Sequence, residues 1–229
     1  AGGKGAGHGG GQEHDDRTEQ GALEAGRATL DRGVPEELPD PAEEERRFDD
    51  LERQLREAIA ADPELQGLEA NLVIDRTEEG LRIQIVDQEE RSMFPRGSAE
   101  MYPFMAKLLG QVAQVMKSTT NKVSIGGYTD STAFRSTSGN DNWSLSAMRA
   151  NAARRALVAA GLDEGRLARV MGKADTDPFD PSDPTAAVNR RIGIVLLYTH
   201  GPRPELGTPP VQPPRTLPTP GSTVDNWQP

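Results

Sequence analysis

Apolar positions along the chain follow two periods, and the switches between them mark its elements. Phe48, Leu51, Leu55 and Ile59 recur three and four residues apart among charged neighbours, and Pro63 stops the pattern. This predicts a helix of roughly four turns over residues 46–61. Residues 72–75 and 81–86 read as two strands, the second alternating cleanly through Leu81, Ile83 and Ile85. Thr77-Glu78-Glu79-Gly80 between them has the length of a hairpin turn. Ser98 is placed to cap a helix reaching Met116, with Met101, Met105, Leu108, Leu109, Val112 and Val115 on its buried side. Val123 and Ile125 then alternate with small residues, as in a half-buried strand. Leu145, Met148, Ala152, Ala156 and Leu157 return to helical spacing, and Gly161-Leu162 supplies the stop. Residues 169–172 form a weak strand. Residues 192–198 are nearly all apolar, which is expected of a central strand buried on both faces.

The helix at 46–61 carries one apolar stripe on an otherwise charged surface, so it is expected to dock on its own domain. Pairing with the same stripe of a second copy is the alternative. Residues 1–42 lack such a stripe; seven glycines fall within the first eleven positions, and acidic residues follow. Gly5-Ala6-Gly7-His8-Gly9-Gly10 spells a dinucleotide-binding pattern, but with no strand before it and no apolar helix after it. A flexible linker is the better reading. The last thirty residues hold nine prolines and are expected to be an extended, polyproline-like tail.

Composition narrows the function classes. The net charge is −10, which argues against nucleic acid as a partner. Its distribution is uneven: residues 1–70 carry 19 acidic and 8 basic side chains, and the remainder 17 and 18. Cysteine is absent, so there is neither a disulfide framework nor a thiol nucleophile. The histidines are His8, His14 and His200, all in the linker or at the tail, and a Ser-His-Asp arrangement inside the domain is not expected. No apolar run approaches the ~20 residues of a membrane span. Asp175, Asp177, Asp180 and Asp183 are interleaved with Pro178, Pro181 and Pro184, without the central Gly and terminal Glu of a calcium loop. A proline-pinned turn is expected there, with no metal and no cofactor.

The candidate chemistry gathers between residues 123 and 160. Strand, loop and helix follow one another, as in a βαβ crossover. In such a unit, residues just past the strand and those in the first turns of the helix lie on one edge of the sheet. Asp130 and Arg149 are therefore expected to face one crevice. A carboxylate and a guanidinium held apart there suit a ligand bearing an ammonium and a carboxylate, such as an amino-acid head group. A salt bridge between the two is the bland alternative. The helix start at Asn142 to Ser144 favours an anionic group. Arg190 and Arg191 enter the last strand from the loop end; one of them can reach the crevice, and alternation does not say which.

Thr129-Asp130, Leu145-Ser146 with Arg149-Ala150, and Asn189-Arg190-Arg191 together resemble the OmpA-like peptidoglycan-binding domain, over about residues 70–199. Met93-Phe94-Pro95-Arg96-Gly97-Ser98-Ala99 and Gly172-Lys173-Ala174-Asp175 look more like its flagellar motor stator members than like outer-membrane lipoproteins or porins. Tyr128 stands where that family usually has His, and the interval from Asp130 to Leu145 is longer than in its shortest members. The resemblance implies a two-layer α+β fold with a βαβαβ core, a mixed sheet, helices on one face, an N-terminal linker helix within 43–69 and disordered termini (1–42 and 200–229). It also implies a non-enzymatic site that grips the diaminopimelate of a cell-wall stem peptide through Asp130 and Arg149. Thr129, Asn142, Leu145, Arg190 and Arg191 are expected around that pair. The implied role is to anchor a stator ion channel to the wall from the periplasm. Its expected partners are peptidoglycan, a second copy in a homodimer, and a MotA-type channel subunit. A longer precursor is expected, anchored in the inner membrane by an N-terminal transmembrane helix with a buried acid. The alternative is an outer-membrane protein or lipoprotein of the Pal/OmpA type that tethers the envelope to peptidoglycan.

Overall fold

Strands β1 (Leu72–Thr77) and β2 (Gly80–Val86) pair as the expected antiparallel hairpin in the computed structural model, which describes residues 40–135, 139 and 141–203. The linker up to residue 39 and the tail from residue 204 lie outside the described residues. Helix α2 (Pro103–Met116) follows, then β3 (Val123–Tyr128), α3 (Asn142–Ala159), β4 (Leu167–Gly172) and β5 (Arg191–Leu197). The five strands lie in the order β1-β2-β5-β3-β4. Only β3 and β4 pair in parallel, joined by α3, so the sheet is mixed. The apolar run of β5 lies between β2 and β3, consistent with its reading as a central strand.

Alternation along the strands divides the sheet into two unlike faces. Leu81, Ile83 and Ile85 on β2, Val123 and Ile125 on β3, and Ile192, Ile194 and Leu196 on β5 are almost fully buried in one core with the helices. Their neighbours Arg82, Gln84, Tyr128 and Arg191 face the other way. There the Tyr128 ring lies over the register-paired Gly126 and Gly193, and the Arg191 guanidinium stacks on the ring at 3.7 Å.

Helix α1 (Pro41–Ala61) precedes the sheet and is a turn longer at its start than the stripe alone predicts. Asp40 accepts a hydrogen bond from the Ala42 amide and Pro41 stands at the first position, which together begin the helix. Phe48, Leu51, Leu55 and Ile59 are 0–1% exposed and belong to the same core as the sheet. The stripe is thus covered by its own domain. A buried carboxylate secures the helix start: Glu44 accepts from the Asn121 side chain at 2.7 Å and from the Thr199 amide at 2.9 Å. Arg203 adds ion pairs to Glu44 and Glu45, so residues 200–203 fold back on α1 and do not begin an extended tail.

The start of α2 departs from expectation. Its N-cap is Tyr102 with Pro103 behind it, and Ser98 does not cap the helix but accepts from the Glu100 amide in a local turn. The fixed φ of Pro103 suits a first helical position, and residues 99–102 reach it in non-helical backbone. The end of α3 is as expected: the Leu162 amide reaches back to the Leu157 carbonyl at 3.0 Å.

Candidate functional site

Two glycines bring α3 onto the sheet. A Cβ on Gly127 would come within 2.2 Å of the Ser146 carbonyl oxygen, and one on Gly172 within 2.5 Å of the Ala147 nitrogen. Without those side chains the first turns of α3 settle on the ends of β3 and β4. Ser146, fully buried, locks the contact by accepting from the Ala174 amide at 3.0 Å. Asp141 begins the helix by accepting from the Ser144 amide at 2.9 Å, which holds its carboxyl below the usual range.

This packing leaves a cleft of about 380 Å³ between the loop after β3, the start of α3, residues 92–97 and the entry to β5. Thr129, Asp130, Asn142, Leu145, Arg149 and Arg190, all singled out in the sequence, are brought together along it. Thr129 donates its amide to the Ala174 carbonyl at 2.8 Å, while its buried hydroxyl has no partner among the described residues. Asn142 holds the loop by donating to the Thr132 carbonyl at 3.1 Å. Leu145, 4% exposed, supplies an apolar patch.

Arg191 is the exception. It is 3% exposed on the opposite face, donating to Gln84 at 2.9 Å and to the Asp177 carbonyl at 2.7 Å. Strand alternation sends consecutive residues to opposite faces, so Arg190 reaches the cleft and Arg191 supports the far side. Tyr128 also belongs to that far face.

The charged groups are arranged in a chain. Asp130, 8% exposed, accepts from Arg190 at 2.8 Å through one oxygen and from the Thr132 amide at 2.9 Å through the other. Arg190 also donates to Asp87 at 2.8 Å, and Asp87 accepts from the Met93 amide at 2.7 Å. Burial pushes the Asp87 carboxyl up, against the pull of those hydrogen bonds. For Arg190, partial burial is outweighed by its bonds to Asp130 and Asp87, and its pKa is raised.

Arg149 stands apart from this chain. Its Nε donates to the Ser98 carbonyl at 2.9 Å and its guanidinium lies 4.9 Å from the Phe94 ring centre. It forms no ion pair with any described residue, and burial lowers its pKa. The bland expectation of an Asp130–Arg149 bridge is therefore not met. The cleft presents a carboxylate and an unpaired guanidinium on separate supports, which can hold a ligand of opposite charges at both ends.

Asp87, Phe94 and Phe134 escaped a reading based on local pattern. An acid directly after an alternating strand is a weak signal, and its meaning depends on β2 and β5 being neighbours, where the Asp87 amide bonds the Arg190 carbonyl at 3.0 Å.

Residues 93–191 match the model of the OmpA family. That stretch of the chain is therefore similar to the OmpA family. Its fold agrees with the expected arrangement of mixed sheet and one-sided helices. The chain is 43% identical over 155 residues to Motility protein B of Escherichia coli K12, covering 67% of this chain and 50% of that protein. It thus spans about half the length of the curated relatives it matches. Among solved structures, the cell wall anchor of the T6SS from Pseudomonas aeruginosa superposes with a TM-score of 0.52 at 25% identity, covering 65% of this chain and 96% of that one. The periplasmic domain of Helicobacter pylori MotB gives 0.51 at 18% identity over 58% of this chain and 83% of that one, a likeness of fold. The matched segment includes every lining residue of the cleft except Ser92, while Asp87, which holds Arg190 from behind, precedes it.

Proposed function

We propose that this chain binds peptidoglycan non-covalently and anchors a flagellar motor stator to the cell wall from the periplasm. The observation that carries the reading is the separation of Asp130 from Arg149: both line the cleft, both are at least nine-tenths buried, and they do not neutralise each other. A diaminopimelate side chain has an ammonium and a carboxylate on one carbon, and Asp130 and Arg149 offer the complementary charges. Likeness to Motility protein B supports the motor context, and likeness to a cell wall anchor supports the ligand class.

Charge-assisted hydrogen bonds contribute about 1.5–3 kcal/mol each in a sheltered site, so one stem peptide is held weakly. Firm anchoring then requires several clefts on one polymeric wall, where effective concentration multiplies weak contacts. A homodimer supplies two clefts. In this reading the whole protein also has a membrane-anchored N-terminal part that meets a MotA-type channel subunit.

Co-sedimentation with purified sacculi tests the proposal. The parent should pellet with sacculi, and Asp130→Asn and Arg149→Ala should leave most of the protein in the supernatant. Circular dichroism of each variant separates lost binding from lost folding. If folded variants pellet as well as the parent, the ligand is held elsewhere.

A further inference from the structure

The turn that supports Arg149 carries a second guanidinium. The Ser98 amide donates to the Pro95 carbonyl at 3.0 Å, closing a turn over Pro95, Arg96, Gly97 and Ser98. Gly97 has φ +70°, the left-handed value that such a turn requires and that glycine adopts without strain. A Cβ there would also meet the Phe134 ring at 2.8 Å. The turn is tied from below by Arg149, which donates to the carbonyls of Ser98 at 2.9 Å and Pro95 at 3.5 Å. Its approach is held by the Met93 amide on Asp87 and by the Tyr102 amide on the Met93 carbonyl at 3.0 Å. Arg96 sits at the tip of this braced turn. It is exposed, lines the cleft, and bonds to no other described residue through its guanidinium.

The charges around the cleft do not balance. Asp87, Arg190 and Asp130 are bonded to one another and together carry one negative charge. Arg149 and Arg96 add two positive charges. A ligand with one ammonium and one carboxylate leaves the excess in place, whereas an ammonium with two carboxylates cancels it. From the turn geometry and this imbalance we infer that Arg96 is a specificity-determining residue that contacts a second carboxylate of the bound peptide, beyond the one held by Arg149. This rests on the reading of the cleft as a stem-peptide site. The second carboxylate belongs to the residue that precedes the diamino acid, so the site takes a peptide acidic at two successive positions.

Two synthetic peptides separate the possibilities: N-acetyl-L-Ala-γ-D-Glu-meso-diaminopimelate amidated at its backbone α-carboxyl, which leaves one ammonium and two carboxylates, and the same peptide with the glutamate α-carboxylate also converted to the amide. Binding to the full chain is measured by calorimetry at low salt, where exposed charges are least screened. The parent should bind the free acid about fivefold more tightly than the amide, the range of a partly solvated ion pair. Arg96→Ala should lose that preference by weakening the acid alone, and Arg96→Lys should restore part of it. If the parent binds both peptides equally, or Arg96→Ala keeps the preference, the inference falls and the stem-peptide reading stands. Failure of the parent to bind either peptide overturns both.

Discussion

Asp130 is bonded to Arg190 at 2.8 Å, and Arg190 in turn to the buried Asp87 at 2.8 Å. The carboxylate expected to meet the ligand is therefore already oriented by a guanidinium pinned from behind. Removing Arg190 leaves Asp87, 2% exposed, without its cation. Arg190→Ala should cost about 2–4 kcal/mol in urea denaturation, because an uncompensated buried charge is left behind. It should also weaken sacculus binding by misplacing Asp130. Arg190→Lys, which cannot bridge both acids as a planar fork does, should recover stability only in part.

Carboxylates of this domain should titrate in opposite directions. Burial raises Asp87, whereas hydrogen bonds from Ser144 lower Asp141 and those from Ser182 lower Asp180. The folded state thus binds the Asp87 proton more tightly than the unfolded chain, so Asp87's contribution to stability falls as pH rises from the ordinary carboxylate range through its raised value. For Asp141 and Asp180 the sign reverses: stability is full above the ordinary carboxylate range and is lost as pH falls through their lowered values. Carbon-13 titration of the side-chain carboxyls by NMR checks the three directions. An Asp87 midpoint at or below that of an exposed aspartate would contradict the burial argument.

The stripe on α1 should behave as core. Leu51 and Leu55 are 1% and 0% exposed among sheet and helix residues of the same chain. Leu51→Ala or Leu55→Ala should each destabilise the domain by about 2–5 kcal/mol. Leu51→Glu should unfold α1 or the whole domain at any protein concentration. Equilibrium sedimentation with circular dichroism decides: a folded Leu51→Glu monomer obtained from a dimeric parent would place the stripe at a subunit interface.

Gly172 should govern binding without lining the cleft. A Cβ there meets the Ala147 nitrogen at 2.5 Å and the Ser146 hydroxyl at 2.6 Å, so Gly172→Ala must push α3 from the sheet. Both the thermal midpoint and sacculus binding should fall, since Asn142, Leu145 and Arg149 ride on that helix. Gly110→Ala is the control: a Cβ there meets nothing within 4 Å, and both properties should be unchanged or slightly improved.

Much of this protein was legible in local pattern. The hairpin of β1 and β2, the buried run of β5, the stripe of α1 and the strand-loop-helix unit holding Asp130 and Arg149 all follow from periodicity, which reports which side of an element avoids water. The cleft pair was legible because strand ends and helix starts share an edge in a crossover. What the residues could not tell was which distant groups meet. Arg190 and Arg191 are adjacent and chemically alike, and only the register Val86↔Arg191 turns one toward Asp87 and Asp130 and the other onto Tyr128. Ser98 reads as a helix cap by sequence, yet its carbonyl serves Arg149 from 51 residues away. Periodicity is a property of neighbours along the chain and was determined by sequence alone. Charge pairing depends on strand order and on the depth to which Gly127 and Gly172 admit α3, and these are decided only when the layers pack.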